Sequence, residues 1–275
     1  MRRIPIYQVD AFADRPFAGN PAAVCPLDEW LAVETMQAIA LENNLSETAF
    51  LLPERDPVPL RWFTPKTEVK LCGHATLASG YVVLDVLAPE RDEVTFETRS
   101  GPLIVRRAGE ALEMDFPAIG SRAVEPEEVP AAVLEGLGLE QLGVTPEEVR
   151  FTDDDWNYLV VLPDREAVAA VRPDFSRLED AHPHGIAVTA PADPDDGVEF
   201  VSRYFVPSYG VPEDPVTGSL HCALTPYWAS RLGRDELTAA QLSARGGRLE
   251  LELAGERVRL RGRVLPYLEG TIEVP

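Results

Sequence analysis

The sequence predicts an α+β protein built from two similar lobes, each an antiparallel sheet curled around one apolar helix. Two helices, near 74–87 and from about Ser219 to Leu232, consist mostly of small and apolar residues. A helix without a polar face must be enclosed by other elements. Each is followed by strand-like runs that close on a tight turn, Ala108-Gly109-Glu110 in the first half and Ala254-Gly255-Glu256 in the second. A short segment also returns: Arg61-Trp62-Phe63-Thr64-Pro65 is matched by Arg203-Tyr204-Phe205-Val206-Pro207, and each copy precedes a glycine, Gly73 or Gly218, at a helix start. Coincident spacing of motif, glycine, helix and hairpin is the mark of an internal duplication. A parallel doubly wound sheet would need regular alternation of strand and helix, which the closing hairpins oppose.

The elements follow in order. Ile4 to Phe12 alternates as a strand and runs into the turn-rich stretch Asp14 to Pro21. Residues 30–43 carry Leu31, Met36, Ile39 and Ala40 at helical spacing. Asn43 and Asn44 suit the exit from that helix, because asparagine tolerates the left-handed region. Strands are expected at Thr48–Leu52, which Pro53 ends, and around Leu60–Phe63. After the first enclosed helix come strands at Glu93–Arg99, Leu103–Arg107 and Leu112–Phe116. The pattern lapses from Pro117 to about Arg122, so the lobes are drawn at 1–118 and 119–275, with the last strand free to return to the first lobe. The second half repeats the order, with a helix near 127–137, strands at 157–162 and 199–206, the second enclosed helix, and strands at 248–253 and 257–262.

With 275 residues, 45% of them hydrophobic and 26% charged, the chain is long enough for two ordinary globular domains. Its formal net charge of -21 excludes nucleic acid as a partner and disfavours an anionic membrane, since both need a basic face. Cys25, Cys72 and Cys222 are too few for a secreted disulfide framework, and neither a signal core nor a membrane-length apolar run is present. A cytoplasmic protein is expected. An anionic ligand would have to be held by local donors against the overall field, and the amides that open a helix supply them. If an approximate two-fold relates the lobes, the starts at Gly73 and Gly218 can face one cleft, with glycine admitting close approach to the backbone.

Glu47 stands where helix passes into strand among small and apolar neighbours. Half-buried, such a carboxyl would have a raised pKa and could shuttle protons near neutrality. His74 could cap its helix, donate to a substrate or assist proton transfer. Cys72, just before a helix start, could be activated there, whereas Cys222 inside the second helix reads as core. Asp214 either caps the second helix or serves the site. His182-Pro183-His184 has metal-like spacing without a third ligand nearby, so no metal is expected. Neither a nucleotide-binding loop nor a serine-hydrolase elbow occurs.

Taken together, these segments resemble the phenazine-biosynthesis PhzF-like family, of the diaminopimelate-epimerase-like fold. The resemblance rests on Val9-Asp10-Ala11-Phe12, Arg15 to Pro21, Glu42 to Phe50, Arg61 to Pro65, Gly73 to Leu77 and Glu213 to Ser219. It implies two pseudo-symmetric barrel-like lobes with central helices, an active site between them, a homodimer, a small-molecule substrate, and no cofactor or metal. It further implies an isomerase in which a glutamate moves a proton between carbons. Glu47 matches that glutamate, while His74, Asp214 and Ser219 match residues around the substrate. Gly73 and Gly218 fit the anchoring role, and Asn20, Cys72 and Thr217 complete the expected substrate-binding set. Racemases and epimerases of the fold use a cysteine from each lobe. Here Cys72 is opposed by Asp214, which disfavours a two-thiol mechanism and leaves a Cys72/Asp214 epimerase as one alternative. A non-catalytic ligand binder is another.

Overall fold

The computed structural model describes residues 1–154 and 156–274, and the chain divides into two units, Met1–Asp115 with Arg259–Pro275, and Phe116–Val258. The division drawn from sequence at residue 118 had assigned 259–275 to the second lobe, apart from a returning strand.

The first unit opens with β1 (Arg2–Ala11), β2 (Asn20–Pro26), α1 (Val33–Asn43), β3 (Glu47–Leu51), β4 (Val58–Phe63) and the short β5 (Glu68–Val69). Helix α2 (Gly73–Tyr81) follows and continues through a π-helical turn at Val82–Leu87. Strands β6 (Glu93–Thr98), β7 (Gly101–Ala108) and β8 (Ala111–Pro117) close this stretch. Every residue of α2 from His74 to Gly80 is buried, as an all-round apolar helix requires. Gly80 makes the fit possible: a Cβ there would lie 2.5 Å from Val105 of β7. Beneath α1, Met36, Ile39 and Ala40 pack with Phe50, Phe63 and Ile4.

The second unit contains β9 (Ser121–Ala123), α3 (Ala131–Gly136), α4 (Leu139–Leu142), β10 (Glu148–Thr152), β11 (Asn157–Val161), α5 (Arg165–Ala170), α6 (Phe175–Ala181), β12 (Gly185–Pro191), β13 (Phe200–Val206) and β14 (Val211–Glu213). Then come α7 (Gly218–Leu232), β15 (Glu236–Gln241) and β16 (Gly247–Ala254), after which β17 (Arg257–Gly262) crosses the boundary at Val258 into the first unit. Last is β18 (Val264–Val274), which pairs antiparallel with β1 along its whole length and so belongs to the first unit. Within α7, Trp228 stacks on Phe200 and donates to Thr189 Oγ1 at 3.0 Å. Pro226 lacks an N–H, so the Cys222 carbonyl four residues back has no helical donor. Ile119 N supplies one at 3.0 Å.

The duplication is visible in the strand pairing. From β1 through β2, β3, β4 and β6 to β7, successive pairs are antiparallel, parallel, antiparallel, parallel and antiparallel. From β10 through β11, β12, β13 and β15 to β16 the order is the same. Short β5 pairs with β4 and short β14 with β13, each just before the enclosed helix. The sheets are therefore mixed, where sequence alone indicated antiparallel pairing throughout. Parallel partners β2, β12 and β15 escaped detection because they read as turn-rich or as unpunctuated runs. The expected linker is in part a strand, since β9 pairs with β10.

The repeated arginine motif has a physical role. Arg61 on β4 forms a two-pronged ion pair with Glu68 on β5, at 2.8 and 2.9 Å, and lies over the Phe63 ring. Arg203 on β13 does the same with Glu213 on β14, at 2.7 and 3.0 Å, and lies over Phe205. In each unit a planar guanidinium thus pins the short strand that delivers the chain to its enclosed helix.

Candidate active site

In the first unit, Asn20, Glu47, Cys72 and His74 come together. The parallel pairing of β2 and β3, with Ala22 opposite Glu47, puts both strand starts at one end, and α2 packs on both strands. Gly19 turns the chain into β2 with φ of 72°, where a Cβ would lie 2.3 Å from the Ala11 carbonyl oxygen. Asn44, left-handed at φ 50°, ends α1 as its spacing predicted, and Asn43 Nδ2 donates to Thr48 Oγ1 at 3.0 Å. These two contacts fix the start of β3, and hence Glu47.

His74 lies in the first turn of α2 and is 5% exposed. Burial pushes its pKa down to about 3, with the Pro21 backbone pulling slightly the other way, so the ring is neutral near neutral pH. Its Nδ1 lies 3.1 Å from Asn20 Nδ2 and 3.5 Å from Cys72 Sγ. With the Asn20 amide nitrogen toward Nδ1, the ring proton belongs on Nε2. That edge faces Glu47, 3.2 Å from Oε2, without the alignment of a hydrogen bond. The Glu47 side chain is 15% exposed, the half-buried one of the two settings its position left open. Cys72 occupies the N-cap of α2 in extended conformation, and its own side chain makes no capping hydrogen bond.

Glu47, Cys72 and His74 also offer one oxygen, one sulfur and one nitrogen, all within 4.8 Å of one another, a set that could hold a soft divalent cation. Sequence reasoning had weighed metal binding only at His182-Pro183-His184. There His182 Nε2 lies 3.0 Å from the Trp156 carbonyl oxygen and His184 stacks on the Trp156 ring at 3.8 Å, so both rings are engaged in aromatic packing.

In the second unit, Asp214, Thr217, Gly218 and Ser219 form the approach to α7. Thr217 is the N-cap, in extended conformation, and its side chain does not cap the helix. Its hydroxyl instead donates to Asp214 Oδ2 in a short contact. Ser219 is exposed in the first turn, while Gly218 and Thr217 are buried. Asp214 N donates to the Tyr204 carbonyl at 3.0 Å. The Tyr204 hydroxyl donates to Asn157 Oδ1 at 2.8 Å, and burial first, then the Asp214 charge, raises its pKa. Gly185 leaves room for this ring, because a Cβ there would lie 1.9 Å from Tyr204 Oη. Glu213, adjacent to Asp214, is committed to Arg203. Cys222 is core, as expected, its thiol 3.6 Å from the Gly218 carbonyl. Sequence reasoning missed Gln241, fully buried at the end of β15 and bonded to this loop, because a lone glutamine carries no motif.

Residues 9–270 match the family model described as phenazine biosynthesis-like protein. An uncharacterized isomerase of Pseudomonas aeruginosa is 53% identical over 98% of this chain and 99% of its own length. A PhzF-family phenazine biosynthesis protein from Enterococcus faecalis, known as a crystal structure, is 40% identical with a TM-score of 0.90, covering 99% of this chain and 100% of that one. A probable proline racemase from Agrobacterium radiobacter is 11% identical at TM-score 0.59, covering 99% and 93%, and shares the fold alone. Fold and relatives define an isomerase of the diaminopimelate-epimerase-like fold. The chain belongs to the phenazine biosynthesis-like (PhzC-PhzF) family.

Proposed function

We propose that the protein isomerises a small carboxylate-bearing metabolite by moving a proton from one carbon to another, with Glu47 as the base that takes the proton and returns it. The observation that supports this is the pairing of a half-buried carboxylate with an imidazole kept neutral by burial, 3.2 Å away. A ring whose pKa is near 3 cannot serve as a cationic acid at neutral pH, so the carboxylate is the group in this set suited to carry the proton between carbons. His74, fixed by Asn20, presents a neutral N–H that orients a polar group or the carboxylate itself. Within the second unit, Asp214 would orient a polar group and the amides of Gly218 and Ser219 would bind a carboxylate; within the first, the amide of Gly73 would do the same.

Supplied with the ligand that co-purifies with the protein, identified by mass spectrometry, the wild type is expected to incorporate deuterium from heavy water into it. Glu47→Gln should lose that exchange by about a hundredfold or more. Exchange retained in a folded Glu47→Gln protein would sink the assignment.

A second reading follows from Cys72 Sγ, 3.5 Å from His74 Nδ1: inversion of one stereocentre, with the thiol as a catalytic group. Loss of inversion in Cys72→Ser would select it. We further propose a cytoplasmic homodimer acting without nucleic acid, membrane, cofactor or metal; undiminished turnover after chelation would support the last point. No helix among the described residues is long and apolar enough to cross a membrane.

A further inference from the structure

Gln241 makes three hydrogen bonds to the loop that carries Asp214. Its Oε1 accepts from Thr217 N at 2.9 Å, and its Nε2 donates to the Asp214 carbonyl at 2.7 Å and to Thr217 Oγ1 at 3.2 Å. The orientation of this amide is not arbitrary. A backbone N–H can only donate and a carbonyl can only accept, so the two main-chain contacts independently fix which end is oxygen and which is nitrogen. Thr217 Oγ1 therefore accepts a hydrogen bond from Gln241, and its own single hydrogen is left to donate to Asp214 Oδ2, where the structure places it.

We propose that Gln241 is a positioning residue that acts through Thr217 on Asp214: the relay Gln241 Nε2–H to Thr217 Oγ1–H to Asp214 Oδ2 aims the carboxylate and favours its ionised form. Hydrogen bonding to the charged form of a carboxyl holds it ionised. The register secures the donor, because Gln241 pairs with Ser202 on β13 and Gly247 on β16, in the interior of the sheet. Just beyond, Ser243 Oγ donates to the Pro215 carbonyl at 2.8 Å, clasping the same loop. Other ionisable groups near the loop are separately engaged. Glu213 is locked to Arg203, the Tyr204 hydroxyl donates to Asn157, and His221 Nδ1 meets the Thr217 carbonyl at 2.8 Å. Tyr209 and Asp154 also act on Tyr204 through their charge. The importance of the relay rests on reading Asp214 as a site residue; its existence does not.

Carbon-13 NMR titration of the intact protein with labelled aspartate tests it, the Asp214 signal being assigned by its loss in Asp214→Asn. Thr217→Val should raise the Asp214 midpoint by about one pH unit, as expected for losing one hydrogen bond to an ionised oxygen. Thr217→Ser should restore the wild-type midpoint. Gln241→Met, which keeps bulk without the amide, should raise it as well, though less. A midpoint unchanged in folded Gln241→Met, whatever Thr217→Val does, overturns the role of Gln241. Deuterium exchange that survives Asp214→Asn would instead count against the function assigned to Asp214 and leave the relay standing.

Discussion

Replacing His221 should change how the protein responds to acid more than how stable it is at neutral pH. This ring is fully buried, with Nδ1 at the Thr217 carbonyl and Nε2 without a hydrogen-bond partner among the described residues, and burial lowers its pKa to about 4 against an ordinary 6.5. In the window from 6.5 down to 4 the unfolded chain binds a proton that the folded ring refuses. Stability contributed by the neutral ring is therefore complete above 6.5 and falls with pH through that window. At pH 5 the unfolded imidazole is almost fully protonated and the folded one almost fully neutral, which corresponds to a loss of about 2 kcal/mol relative to pH 7.5. His74, lowered to about 3, adds a similar loss over the same interval. Urea unfolding of wild type and His221→Asn at pH 7.5 and pH 5 measures the difference. The variant should be less stable at pH 7.5 for want of its packing, yet its loss between the two pH values should be smaller by about 2 kcal/mol. An equal loss in both proteins would refute the argument, because His221 would then not be held neutral by the fold.

Other consequences concern packing and the arginine braces. Gly185→Ala forces a Cβ to within 1.9 Å of Tyr204 Oη and 2.2 Å of its Cζ, which should cost about 2 to 4 kcal/mol through overpacking and loss of the bond to Asn157. Urea unfolding of Gly185→Ala alone and with Tyr204→Leu checks this, the second change being expected to relieve the clash. Arg203→Met leaves Glu213 half-buried without its partner and should destabilise by about 3 kcal/mol in thermal unfolding. Replacing Glu213 by Gln in the same chain should recover part of that loss.

The sequence made the repeat legible because its mark is side-chain chemistry: an arginine two residues before a phenylalanine, ahead of a glycine that opens an apolar helix. The enclosed helices were equally plain, since nothing but burial explains their lack of a polar face. The strands at 20–26, 185–191 and 236–241 were not, because a parallel strand without a hairpin turn leaves no local punctuation. Of the candidate site, Glu47 and His74 are singled out by position and named by the family resemblance, but the identity of their contacts depends on β2 and β3 running parallel. Gln241 could not be found at all, for its role exists only once β15 lies beside β13. The His182 and His184 spacing, set aside for want of a third ligand, belongs to aromatic packing, which needs no ligand pattern.

The pairing of β18 with β1 also governs when the first unit can be finished. Synthesis passes through β1 to β8 and then the whole second unit before Val274, the partner of Arg2, exists. Until then β1 keeps one open edge, a template for wrong partners, and the longest sequence separation in the molecule has yet to be closed, a slow kind of step. The second unit, whose pairings from β9 to β16 all lie within residues 121–254, has no such wait. On the ribosome it is thus the later-made unit that is ready first, and the strand carrying Glu47 acquires its finished surroundings only after β18 is made.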